Sequence, residues 1–112
     1  MFTPETRLKI DHELRTAETA RAEGNEGRAR VCARRAVGAA LGDVLRRMGA
    51  VDLPLSAMDL LWQSGRVPGL SAGSRQALER LTRKVDESFN LPAGWDLVAD
   101  AHAVIAELGT ME

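Results

Sequence analysis

The chain has 112 residues, a formal net charge of -1, 45% apolar and 28% charged residues. That length fits one domain spanning 1–112 with a single core. No run approaches the ~20 apolar residues of a membrane span, and so near-neutral a chain is not a bulk-charge binder of nucleic acid.

Chain punctuation divides the sequence into five helical segments. The first opens at Thr3-Pro4, a cap residue followed by proline at the first helical position. It runs to about Glu23 with an apolar stripe of Ile10, Leu14 and Ala17. The start MFTPETRLKIDHELR is charged from its fifth residue and has no signal-peptide apolar region, so a cytoplasmic protein is expected. The turn Gly24-Asn25-Glu26-Gly27 ends this helix, and Asn25 can cap the next. Two long helices joined by so short a turn form an antiparallel hairpin.

Helix two is expected from about Glu26 to Met48, stopped by Gly49. It is apolar or small around most of its circumference, which marks a central helix packed from several sides. Ala29, Ala33, Ala36 and Ala40 form one narrow strip. Gly38 and Gly42 lie on another flank near Val31 and Leu45. Each costs about 1 kcal/mol of helix propensity against alanine, so the pair points to a close backbone contact. Residues 28–48 carry six arginines against Asp43 alone. Arg28, Arg35 and Arg46 fall on a solvated side, whereas Arg30 and Arg34 flank Leu41 and Leu45 and are expected to be partly buried.

A short third helix is bracketed by Pro54 and Pro68, capped by Ser56 with Asp59 at the capping-box position. It carries Met58, Leu60, Leu61 and Trp62 and is expected to stop at Gly65. After a Ser71-Ala72-Gly73-Ser74 loop and cap, helix four is expected to reach about Ser88, burying Ala77, Leu78, Leu81 and Val85, with an exposed Glu79–Arg83 pair. Asn90-Leu91-Pro92 breaks the chain. The last helix is expected over Ala93–Leu108, with Leu97, Val98, Ala101, Val104, Ile105 and Leu108 inward and Gly109 at its end. No segment alternates with period two, so the fold class is all-α: an up-and-down bundle of four or five helices. Its core should include Ala33, Ala36, Ala40, Val44, Leu78, Leu81, Leu97, Ala101 and Ile105.

The charge is uneven. Residues 89–112 hold Asp96, Asp100, Glu107 and Glu112 without Lys or Arg. The basic second helix and the acidic last helix are therefore expected side by side, or paired across a dimer. Thirteen arginines against two lysines, with many alanines, suggest a GC-rich bacterial genome.

Chemistry-bearing residues are sparse. His12 faces away from the Ile10/Leu14 stripe, and Asp11, His12 and Glu13 diverge by about 100° each, so they cannot converge on a metal. His102 is expected to be half buried against Trp95, and Trp62 and Trp95 to be core or interface residues. Asp96 and Asp100 are expected to face outward, without the inward Glu-x-x-His spacing of di-metal bundles, so no metal site is expected. Cys32 reads as a core filler, although nearby arginines would lower its pKa. No Gly-rich phosphate loop, nucleophile elbow or zinc pattern occurs. No catalytic residue and no cofactor follow from these residues.

The hairpin, its Gly24-Asn25-Glu26-Gly27 turn and the run Arg28-Ala29-Arg30-Val31-Cys32-Ala33-Arg34-Arg35-Ala36 resemble the first two helices of a HEPN domain. The shorter helix, polar loop and final pair of helices through Asp96-Leu97-Val98-Ala99-Asp100-Ala101 follow the same layout. The resemblance implies a compact bundle, often homodimeric, among nucleotide-binding proteins, partners of nucleotidyltransferases, and RNases. The RNase members carry an Arg four to six residues before a His near the start of a late helix. No Arg precedes His102 at that distance, and Arg7 and His12 have the spacing only on the first helix.

The chain thus reads as a non-catalytic, HEPN-like bundle that dimerises and binds a protein or nucleotide partner, or as a structural bundle whose protein partner is encoded nearby. The alternative is a HEPN-type enzyme acting on nucleotides or RNA through helix-two arginines. In either case Arg30, Arg34 and Arg35 are the expected ligand-binding residues, because helix N-termini favour anions and guanidinium forks suit phosphates and carboxylates. Helix two, with more apolar circumference than a small bundle covers and a glycine flank at Gly38, is the expected dimer contact, together with or in place of the last helix.

Overall fold

The computed structural model describes residues 2–50, 55–83 and 95–110. Five α-helices follow in order: α1 (Pro4–Ala22), α2 (Glu26–Arg47), α3 (Ala57–Trp62), α4 (Ala72–Thr82) and α5 (Leu97–Leu108). A 3-10 turn, Ser64–Arg66, follows α3. No strand occurs among the described residues, and the class is all-α as the periodicity implies. None of these helices is long and apolar enough to cross a membrane.

Local chemistry places the helix starts. The side chains of Thr3, Asn25, Ser56 and Ser71 accept hydrogen bonds from backbone N–H groups three residues on. Gly24 at φ 77° closes α1, a left-handed conformation that favours glycine. The turn returns α2 alongside α1, and the Thr3 N–H donates to Asp43 Oδ2 at 2.9 Å, tying the start of α1 to the end of α2.

The second helix is central, packing on α1, α3 and α5, and α4 closes the bundle against α5 and α3. All nine expected core residues are buried, with Ala33, Ala36, Ala40, Leu81 and Ala101 wholly so. Each fully buried leucine, such as Leu41, Leu45 or Leu81, contributes about 1.5–3 kcal/mol relative to exposure.

Several expectations are corrected. Helix four ends at Thr82, not near Ser88, because Arg83 turns to an extended conformation (ψ 126°) and the Arg34 guanidinium takes the released carbonyls. Val85 lies outside the described residues, as do Pro54, the Asn90-Leu91-Pro92 break and Glu112. The last helix begins at Leu97 rather than Ala93, since Asp96 is its N-cap and accepts from Ala99 N–H. Trp95 therefore precedes the helix rather than lying on it, and the half-exposed His102 imidazole meets Glu18 Oε1 at 3.2 Å. Glu79 and Arg83 make no ion pair, because Arg83 is past the helix end and lies over the Trp95 ring, 5.7 Å from its centroid. Trp95 is partly buried against the core, but Trp62 is 60% exposed and not a core residue.

The glycine flank is a contact within the chain. A Cβ at Gly38 would lie 2.8 Å from Ala57 Cβ, so this residue admits α3 and is not free to meet a second copy. Packing of α1, α3 and α5 covers much of the apolar circumference of α2 within the chain, including Ala29, Ala33, Ala36 and Ala40.

Candidate functional site

The arginines of α2 separate into two kinds. Arg34 donates from Nε to Leu81 O at 2.9 Å and from an Nη to Arg83 O at 3.2 Å, so it closes the C-terminus of α4. Burial, with Arg30 beside it, lowers its pKa from the ordinary arginine value. Arg47 donates to Asp43 Oδ1 at 2.6 Å one turn away. In contrast Arg28, Arg30, Arg35 and Arg46 make no hydrogen bond, ion pair or ring contact among the described residues. Every other arginine of the chain has at least one such partner.

Arg30, Arg34 and Arg35, the three expected ligand residues, do not share one side. Successive helical positions diverge by about 100°, which sends Arg34 toward α4 and Arg35 into the α1–α2 groove. Arg30 stands one turn before Arg34, half buried and near Glu26. Arg28, absent from the expected set, joins Arg35 in the groove. The signal was their seven-residue separation, nearly two whole turns.

That groove has a volume of about 420 Å3. Arg28, Val31 and Arg35 of α2 face His12 and Thr16 of α1 across it. It continues toward the interhelical turn into a second depression of about 400 Å3, where Arg15 and Glu23 line the wall. The seam is set by sequence: Ile10, Ala17 and Ala20 bury one stripe of α1 against α2, and His12 and Thr16 fall beside that stripe. His12 thus stands in the same groove as two unpaired arginines, a proximity that adjacent-residue geometry on α1 alone does not reveal.

The groove floor is inert as a nucleophile. Cys32 is buried, and burial pushes its thiol pKa up, reinforced by the neighbouring Glu13 carboxylate. Arg28 and Arg35 pull the other way and do not prevail, which corrects the expectation of an arginine-lowered thiol. Glu13 Oε2 is buried with no hydrogen-bond partner among the described residues.

Acids expected to neutralise α2 are occupied elsewhere. Asp96 pairs with Arg21 of α1, and Asp100 accepts two hydrogen bonds from Arg80 of α4 at 2.9 and 2.8 Å. Asp100 is not outward-facing, since its side chain is only 13% exposed. Glu107 accepts from the Ser71 N–H and from the hydroxyls of Ser71 and Ser74, at the start of α4. The helices α2 and α5 do lie side by side, but their contact is apolar and the arginines of one do not meet the acids of the other.

One buried acid was missed. Burial raises the Asp43 carboxyl, but the Thr3 N–H, the Thr6 hydroxyl and Arg47 outweigh it and hold it below the ordinary carboxylate range. The legible signal was the Asp43/Arg47 spacing of one turn. No group of His, Cys, Asp and Glu among the described residues could hold a metal ion. The groove thus brings together two guanidinium groups, an imidazole and the Glu13 carboxylate. Comparison with protein-family models, curated proteins and solved structures finds no match to the chain.

Proposed function

We propose that the chain is a non-catalytic helical binding module, HEPN-like in layout, which holds an anionic partner on the exposed face of α2. The observation that carries this reading is the set of unpaired arginines: four of thirteen, all on α2, while the acids of α5 are taken by other elements. An unpaired guanidinium on a solvated helix face is free to take a carboxylate or phosphate. Within the expected set this favours Arg35, with Arg28 as its companion and Arg30 on the flank, and leaves Arg34 a structural role.

Salt-dependent titration of wild type and an Arg28→Ala/Arg35→Ala variant against short RNA and polyglutamate tests the reading. Binding that weakens with salt and disappears in the variant is the expected result. Wild type that binds neither polyanion counts against a binding module.

Self-association belongs to the same reading, supported by the exposed apolar side chain of Leu8 (69%) away from the α1–α2 groove. A mass that rises with concentration in sedimentation equilibrium is expected; a constant monomer mass removes this part. The second reading, an RNA- or nucleotide-processing enzyme, is favoured by one observation, His12 in the groove with Arg28 and Arg35. RNA cleavage by wild type that His12→Ala abolishes would replace the non-catalytic reading.

A further inference from the structure

Arg28, Arg35 and Arg46 lie seven and eleven residues apart on α2. Both intervals are close to whole numbers of turns at 3.6 residues per turn, so the three form a stripe within about 20° of one line. Along that line the charges are about 10 and 16 Å apart. All three side chains are exposed and unpaired among the described residues. Val31 projects between the first two. At the far end Arg46 lies over Gly42 and borders a further depression of about 300 Å3 beside Glu5.

We infer that this face receives an acidic amphipathic helix from a partner protein, laid along the α1–α2 groove with carboxylates on Arg28, Arg35 and Arg46 and an apolar side chain on Val31. The inference rests on the binding-module reading and names its partner. A helix lying alongside another repeats its own side chains at the same seven- and eleven-residue intervals, so one acidic stripe meets the whole basic stripe. The seam between two helices is also the groove into which a third helix packs.

Two features of the groove weigh against single-stranded nucleic acid. Such sites stack bases on aromatic side chains, and no Phe, Tyr or Trp lines this groove or its two neighbouring depressions, where the His12 imidazole is the one ring among the lining residues. Glu23 at one end and Glu5 at the other, with Glu13 on the wall between them, would repel a continuous phosphate backbone, whereas the two end acids suit a helix whose acidic centre is flanked by lysines and places its carboxylates on the arginine side of the groove.

The test uses a labelled alanine-based peptide with glutamates seven and eleven residues apart on one face, a leucine between the first two, and lysine at both ends. A peptide of the same composition in scrambled order and a single-stranded RNA are the controls. Fluorescence anisotropy should show the patterned peptide binding wild type, weakening as salt rises, and binding Arg28→Gln/Arg35→Gln at least tenfold more weakly. Matching far-UV melting of the variant excludes a folding defect, and Arg46→Gln gives an independent second variant. Equal binding of the scrambled peptide, or binding unchanged in both variants, overturns the inference. RNA binding that depends on these arginines, without peptide binding, overturns the acidic helix but leaves the binding module standing. Binding of neither ligand overturns both.

Discussion

Asp43 shows how one buried charge can hold two helix ends. Its side chain is 2% exposed and accepts from the Thr3 N–H at the start of α1 and from Arg47 near the end of α2. Removing the charge leaves an amide that satisfies these donors less well, so Asp43→Asn should cost about 1–3 kcal/mol. The pH sign follows from the depressed carboxyl. The stabilisation is complete above the ordinary carboxylate range and is lost as pH falls through the lower value of the folded state. Melting followed across acidic pH should therefore show a fall in stability for wild type that is smaller in Asp43→Asn. Identical acid profiles would show that Asp43 is not the linked group. At this scale the sequence was only partly legible. A lone acid among arginines reads as a solvated counter-charge, because nothing local shows that the distant Thr3 amide will meet it.

Among elements, α3 and α4 depend on contacts that α2 supplies. Gly38 lets α3 approach so closely that a Cβ there would also lie 2.9 Å from Ala57 Cα, a backbone atom. Gly38→Ala should therefore destabilise by about 1–3 kcal/mol through overpacking, despite the better helix propensity of alanine. Urea denaturation would check this; a stabilised variant would mean that α3 yields at little cost. Arg34 acts at the other boundary, satisfying carbonyls that α4 leaves open. Arg34→Ala should lose about 1.5–3 kcal/mol from these charge-assisted bonds, and Arg34→Lys should not restore it fully, since an ammonium lacks the fork that reaches both carbonyls. Thermal melts of both variants decide the matter. Helix existence was legible from periodicity and caps, and the starts at Thr3, Asn25 and Ser56 followed from side-chain chemistry alone, but Ala72-Gly73-Ser74, expected as part of a loop and cap, form the first turn of α4 behind the Ser71 cap. The end of α4 and the start of α5 were not legible, because the groups that set them, Arg34 and the Asp96 cap, compete with a periodicity that continues past both.

In the whole molecule, one core joins all five helices, and ionic contacts tie them at the edges: Arg21 to Asp96, Arg80 to Asp100, and Glu107 to the start of α4. Solvent screening leaves the exposed Arg21–Asp96 pair a small contribution, about 0–1 kcal/mol. Stability rests on the core, so Leu97→Ala, at a residue 1% exposed, should cost about 2–5 kcal/mol. A chemical-denaturation midpoint like that of wild type would show the α5 register to be different. The helical stripes of the core were legible, since each repeats at helical spacing, whereas the burial of Phe2, Val67 and Leu70 outside those stripes and the exposure of Trp62 were not. The candidate site was less legible. Opposite charge on two neighbouring helices suggested mutual neutralisation, but which acid meets which arginine depends on helix rotation and on third elements. The acids of α5 turned to α1 and α4, leaving Arg28 and Arg35 over a groove whose other wall comes from α1.

The Gly38–Ala57 contact also bears on how this fold can drift in sequence. Apolar core residues can exchange volume with several neighbours, so a diverging chain can replace leucine by methionine or isoleucine and repack. The 38/57 crossing has no such partner, because backbone stands against backbone. A distant descendant that keeps α3 against α2 should retain small residues at both positions long after the rest of α2 has changed. That spaced pair, with the Asp43/Arg47 turn, is a more durable fingerprint of ancestry than the alanine-rich helix around it.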